Sequence, residues 1–329
     1  MNSVLRYSKN MIAKQFGLLR LSNITFVLTD ECNLRCRICD IWEKQRGQRS
    51  NLKIEKIREI LASKYTKKVR YIAFTGGEPF LREDVFEIFS LVRSLRPDCK
   101  IVISSNGTLA DKVVSFFRKI ESLRNITLEL SILGIESHDY LTDTKGAFET
   151  IQFSIEKLKQ EFPLLRLRVK FTITPWNYLE MNEVVKYCSR YNLPVFIKII
   201  ENVKSHTNSI KYQDNFKKNS FNFSQEQRQS IVCALESIKN NYLYNRGIIK
   251  GIAYHLRGKQ IKRRCYAAAR SLFINPDGSV YRCRMCEPIG NINTQEFDGM
   301  IEGSQGQIKR LNGRHDLCKN CISIFRFLF

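Results

Sequence analysis

Three cysteines, Cys32, Cys36 and Cys39, stand in the run Cys-Asn-Leu-Arg-Cys-Arg-Ile-Cys, close enough for one loop to aim three thiolates at one metal centre. A four-iron cubane with three protein ligands keeps one iron open, and an open metal position is where substrate or cofactor chemistry occurs. Zinc is the alternative, but it normally wants four protein ligands, and the nearby sequence offers neither a His nor a fourth Cys. A second group lies towards the other end. Cys265 and Cys283 flank the turn sequence Asn275-Pro276-Asp277-Gly278, so a hairpin would bring their thiols towards one another. Cys318 and Cys321 add a pair, and four thiolates suit a sealed cluster for electron transfer or structure, with a zinc ribbon as the alternative. Cys286 is read as a bystander, and Cys99, Cys188 and Cys233 as isolated core or surface thiols. An odd total of eleven cysteines with no secretory signal argues for metal ligation in a reducing, cytoplasmic compartment rather than a disulfide framework.

Two further stretches are chemically unusual. Thr75-Gly76-Gly77-Glu78-Pro79 has paired glycines that let a backbone approach closely and a proline that stiffens the exit; a tight strand-to-helix turn would look the same. Ser104-Ser105-Asn106-Gly107-Thr108 is small, polar and rich in hydrogen-bonding groups.

The elements that must position these residues alternate. Strand patterns fall near 23–29, 69–75, 100–105, 126–132, 165–173 and 195–200, with helical periodicity near 53–63, 84–94, 113–120, 148–161 and 179–191. Six strands with intervening helices predict a parallel sheet with right-handed crossovers, and in such folds the chemistry sits at the carboxyl ends of the strands. The cysteine run, the Gly-Gly-Glu-Pro stretch and the Ser-Asn-Gly stretch follow strands one, two and three. Four segments result: an N-terminal helical segment over 1–22, the α/β unit over 23–200, a basic linker or insert over 201–264, and a small cysteine-rich domain over 265–329. The insert carries thirteen Lys and Arg against four Asp and Glu, with a helix predicted from Ser224 to Tyr244.

Taken together these residues resemble the radical S-adenosylmethionine superfamily, whose hallmark is CxxxCxxC after the first barrel strand with a hydrophobic residue, here Ile38, before the last cysteine. The resemblance implies a partial (β/α)6 TIM-like barrel in which Cys32, Cys36 and Cys39 hold a 4Fe–4S cluster whose open iron chelates the methionyl amino and carboxylate groups. Carried over by motif, Gly76, Gly77 and Glu78 would meet the methionyl amine, Ile38 the adenine, and Ser105 and Asn106 the ribose or carboxylate; Ser131, ending strand four, is a weaker candidate. The implied reaction is reductive cleavage of S-adenosylmethionine to a 5′-deoxyadenosyl radical that abstracts hydrogen from a peptide, protein or small-molecule precursor. An electron donor such as flavodoxin or ferredoxin is the implied partner. The C-terminal group is similar to the SPASM or shorter twitch extension, from the Cys265 to Cys283 spacing and the words Ile289-Gly290-Asn291-Ile292. The further cysteines of a full extension are missing after Cys321, so one auxiliary 4Fe–4S cluster is expected on Cys265, Cys283, Cys318 and Cys321.

Other features are less specific. Where the family often reads Ser-Leu-Asp-Gly, then His-Asp, then Arg-Gly, this chain has Leu133 for the Asp, keeps His138-Asp139, and has Thr142-Asp143 for Arg-Gly. His138 and Asp139 are expected to cap the following helix or join a surface hydrogen-bond network, rather than act as acid or base. Glu201, after strand six, is a comparable candidate, and none of the three is read as catalytic. A formal charge of +22 suits nucleic acid, acidic peptides or anionic membranes, with specific nucleic-acid binding the lesser expectation. Two alternatives remain at this stage, a radical enzyme acting on RNA and a zinc-stabilised nucleic-acid-binding protein. Residues 1–21 mix apolar and basic side chains without an acid, a pattern shared by transit peptides, membrane-surface helices and, as expected here, a helix packed against the first strand. No apolar run is long enough to span a bilayer.

Overall fold

All six predicted strands form and pair in one sheet. A computed structural model describes residues 21–43, 50–200, 222–238, 246–259, 265–284 and 286–304. The strands β1 (Asn23–Val27), β2 (Tyr71–Thr75), β3 (Lys100–Ser105), β4 (Ile126–Ile132), β5 (Arg166–Ile173) and β6 (Val195–Ile199) lie parallel, each beside its predecessor in the chain. The connections carry α1 (Ile54–Ala62), α2 (Val85–Leu95), α3 (Ala110–Arg118), α4 (His138–Thr142), α5 (Ala147–Glu161) and α6 (Met181–Arg190). Repeated βα units in sequential order are half of the logic of a barrel, with one face for helices and one for a lumen.

Alternation along β4 separates those faces. Ile126, Leu128, Leu130 and Ile132 are buried towards the helices, while Thr127, Glu129 and Ser131 point the other way. The helices answer with apolar stripes such as Ile151, Ile155 and Leu158 on α5 and Ile57, Ile60 and Leu61 on α1. The inner face is therefore polar, and it is this face that can receive a ligand.

Strand one stops at Val27, short of the expected Thr29. Thr29 instead makes an isolated bridge to Asn51, which closes the cysteine loop at its base. Arg82 locks the same base: its guanidinium donates to the carbonyls of Leu28 and Leu52 and pairs with both carboxylate oxygens of Asp84.

The basic segment contributes two helices to the core. α7 (Gln225–Ser237) begins in a capping box between Ser224 and Gln227 and ends at Ser237, earlier than the predicted Tyr244; residues 239–245 lie outside the described ones. α8 (Arg246–Leu256), absent from the sequence reading, packs on α7 and on β6 through residues that include Ile248 and Ile252.

The expected hairpin is present: β7 (Ser271–Ile274), which follows the single turn α9 (Ala267–Arg270), pairs antiparallel with β8 (Ser279–Tyr281), with Gly278 at positive φ in the turn. The hairpin is not a separate sheet. β7 pairs parallel with β1, and β9 (Gly290–Asn291) and α10 (Phe297–Gly303) complete this side of one nine-stranded sheet. Residues 1–20, Glu201, Cys318 and Cys321 lie outside the described residues, so the N-terminal helix and one pair of expected cluster ligands have no structural account here.

Candidate active site

The three cysteines of the first group occupy the loop that leaves β1, and the loop is fastened from below by β2. Gly77 N–H donates to the Thr29 carbonyl at 2.9 Å, and Glu78 N–H donates to the Glu31 carbonyl at 2.7 Å. A methyl group on Gly77 would stand 1.9 Å from the Glu31 oxygen, so the glycine is needed for backbone to touch backbone. Leu34, between Cys32 and Cys36, is buried, and Trp42 donates its indole N–H to the Cys36 carbonyl. From the far side α4 holds Arg37, whose N–H donates to the Leu141 carbonyl while its guanidinium pairs with Asp143 and lies over the Tyr140 ring.

Cys32, Cys36 and Cys39 are each half-buried, and Cys39 N–H closes a turn onto the Cys36 carbonyl. Burial pushes all three thiols up, Cys39 to about 11, and the charges of Cys39 and Cys32 add to the rise at Cys36. Thiols near enough to oppose one another's ionisation are a site that a multivalent cation relieves by displacing their protons. Among the described residues no three His, Cys, Asp or Glu side chains are gathered as a single ion would need.

Glu78 faces inward, fully buried. One carboxylate oxygen accepts from Phe80 N–H and Ser105 O–H, and the other from Asn106 N–H at 2.7 Å. Burial nevertheless raises it from an ordinary 4.5 to about 7, against those hydrogen bonds and the charge of Lys170. Because the folded chain holds this proton more tightly than the unfolded one, the contribution of Glu78 to stability is complete below pH 4.5 and is lost as pH rises to about 7. The fall is at most about 3 kcal/mol. Denaturant midpoints of the metal-free chain from pH 5 to 8 are expected to show that slope, flattened in Glu78→Gln; parallel slopes would contradict this origin.

Of the residues expected to touch the cofactor, Ser105 is fully engaged, its hydroxyl donating to Glu78 and accepting from Gly107 N–H. Asn106 reaches the cysteine loop. Its amide donates to Asn33 at 2.8 Å and lies 3.9 Å from Cys32 Sγ, while its oxygen accepts from Thr108. Asn33 in turn donates to the Thr108 hydroxyl, so Asn33, Asn106 and Thr108 close a ring that the sequence reading missed. Only a pairing of loops after strands one and three could have signalled it. Ile38 is half-buried, and Ser131 stands on the inner face in register with Lys170.

That inner face holds a second missed feature. Arg168 makes a two-pronged pair with Glu129, which also accepts from Ser104 and lies 3.5 Å from Lys170. Burial works against the charged form of Glu129, but the two cations and the hydrogen bonds prevail and hold its carboxyl below the ordinary value. Asp139 caps α5 as expected, accepting from Gly146 and Phe148 N–H. His138 departs from expectation: it is buried, accepts from Leu133 N–H through Nδ1, and burial lowers it to about 4, so it is neutral and off the surface.

In the second group, Cys265 accepts from Ala267 N–H, and Cys286 N–H donates to the Cys283 carbonyl in the same kind of turn as Cys36 to Cys39.

A parallel sheet with a three-cysteine loop fastened by a Gly-Gly-Glu turn defines a class, and comparison with known proteins agrees. Residues 26–203 match the radical SAM superfamily and residues 265–322 the SPASM iron–sulfur cluster-binding domain. The chain belongs to the radical SAM superfamily, and with that membership come a 4Fe–4S cluster, S-adenosylmethionine and an auxiliary cluster.

Among curated proteins it is 26% identical over 211 residues to the GTP 3′,8-cyclase of Synechococcus elongatus, covering 62% of this chain and 60% of that one. It is 25% identical to the Fe-coproporphyrin III synthase of Methanosarcina barkeri, over 59% of this chain and 48% of that one. The matched region thus spans about half to three-fifths of these relatives. In fold, the chain resembles SuiB of Streptococcus suis bound to S-adenosylmethionine (TM-score 0.68, 14% identity, 98% of this chain and 76% of that one). It also resembles anSMEcpe with bound AdoMet (TM-score 0.64, 18% identity, 93% and 88%). These likenesses identify the sheet as a TIM-like partial barrel. Among the described residues no helix is long and apolar enough to cross a membrane.

Proposed function

We propose that this chain cleaves S-adenosylmethionine reductively at a cluster held by Cys32, Cys36 and Cys39, and abstracts hydrogen from a peptide, protein or small-molecule precursor. The observation that carries the reading is the half-buried trio of cysteines on one loop bolted to the turn after β2. When bound, the cluster supplies the electron that splits the sulfonium and so the radical that takes the hydrogen atom. The chain's own residues hold the cofactor and exclude water. Gly77 and Glu78 spend their N–H groups on the cysteine loop, which leaves carbonyl oxygens of the Gly-Gly turn as acceptors for the methionyl amine. Lys170, in register with Ser131 and acting on Glu78, is the cation suited to the methionyl carboxylate. Asn106 meets the ribose side, Ile38 packs on the adenine, and Ser105 and Glu78 keep the turn beneath them rigid. Cys265 and Cys283, which flank the hairpin that shares the barrel's sheet, are assigned with Cys318 and Cys321 to the auxiliary cluster. The breadth of the substrate class is in keeping with neighbours in fold whose structures hold peptides, SuiB with its precursor SuiA and anSMEcpe with Kp18Cys, and with relatives named for small molecules.

The test is anaerobic reconstitution. About eight irons and eight sulfides per chain, as for two cubanes, and 5′-deoxyadenosine on adding dithionite are expected. A fully loaded chain that neither binds nor cleaves S-adenosylmethionine would overturn the reading.

A further inference from the structure

Arg284 is exposed and has no hydrogen-bond acceptor among the described residues. It follows Cys283 directly, and its guanidinium lies 6.0 Å over the ring of Phe273. Phe273 pairs in register with Thr25, so it shares the inner face of the barrel sheet. β1, against which β7 pairs, leads into the first cysteine loop, so the ring under the guanidinium lies on the strand beside that loop. A cation stacked on an aromatic ring keeps its N–H edge available for a planar or tetrahedral anion.

The surrounding face has the same sign. Among the described strand residues on it, Lys100, Arg166, Arg168, Lys170 and Lys198 are basic, and Glu129 is the one acidic residue. Arg168 and Lys170 both lie against Glu129, and on the strands of this face the basic residues outnumber the one acidic residue. Clefts lined by one sign of charge concentrate ligands of the other.

We propose that the substrate presents an anionic group, a carboxylate or a phosphate, and that Arg284 receives it at the open side of the barrel between the two cluster sites. Arg284 is thus a specificity-determining residue, and the assignment rests on the radical reading above. Charge-assisted, two-pronged hydrogen bonds give such a contact both strength and direction.

Titration calorimetry of the anaerobically loaded full chain with S-adenosylmethionine present tests this, using glutarate, inorganic phosphate and pyrophosphate as probes and glutaramide as the neutral control. Saturable binding of at least one anion and none of the amide is expected. Arg284→Gln should weaken the anion about tenfold or more, and Arg284→Lys should recover part of the loss. Whether glutarate or the phosphates bind decides between the two sources of charge. Equal binding of the amide, absence of saturable anion binding, or unaltered affinity in Arg284→Gln would overturn the proposal. Deoxyadenosine formation by the unsubstituted chain is scored separately. Cleavage without anion binding removes this inference alone, and anion binding without cleavage removes the parent reading alone.

Discussion

Cys36→Ala is expected to lower the iron content of the reconstituted chain from about eight to about four and to abolish 5′-deoxyadenosine formation. Cys36 is the middle cysteine of the trio, and the charges of Cys39 and Cys32 oppose its ionisation. Removing it leaves two thiols on the loop, too few to retain a cubane whose fourth corner must stay open. The remaining iron should be the auxiliary cluster, because Cys265 and Cys283 sit on the β7–β8 side of the sheet, in a separate segment. The fold itself should survive: the Cys36 side chain is only half-buried, while the bonds that fasten the loop run through Thr29, Glu31 and Leu28. A thermal midpoint close to that of the metal-free parent, measured alongside the iron count, separates loss of the cluster from unfolding. Retention of all the iron with undiminished cleavage would show that Cys36 is not a ligand.

The barrel strands were legible because each is a short β-rich run followed by a glycine-containing or polar turn, and the unusual turns fall at consecutive strand ends. Less legible was what those turns do. Glu78 reads in sequence as a residue offered to a ligand, whereas its carboxylate is consumed by Phe80, Ser105 and Asn106. The Asn33–Asn106–Thr108 ring and the Glu129–Arg168 pair join segments far apart in the chain, and no local pattern encodes such contacts. α8 was hidden by composition: its segment is rich in Lys and Arg, which masks the apolar stripe with Ile248 and Ile252. Likewise the pairing of the cysteine-rich hairpin with the barrel sheet could not be read, because nothing in β7 announces that its partner will be β1, more than two hundred residues earlier in the sequence. Short buried strands such as Ser271–Ile274 show no alternation from which a partner can be inferred.

Gly77→Ala should be nearly as damaging to the first cluster as loss of a ligand, without touching any thiol. The new methyl would meet the Glu31 carbonyl oxygen at 1.9 Å, its carbon at 2.4 Å and Cys32 N at 3.0 Å. All three are backbone atoms, which cannot swing aside as a side chain can. The loop must therefore lift, and in lifting it breaks the bonds from Gly77 N–H to Thr29 and from Glu78 N–H to Glu31. The expected cost is about 2–4 kcal/mol, read as a lowered urea midpoint. Because Cys32 is the residue displaced, only the auxiliary iron, about four per chain, should load, as after Cys36→Ala. Gly303→Ala is the matched control: nothing lies within 4 Å of its added methyl, it sits in α10, and its stability should change by no more than about 1 kcal/mol. Normal loading of both clusters in Gly77→Ala, with an unshifted urea midpoint, would mean that the cysteine loop does not rest on this glycine.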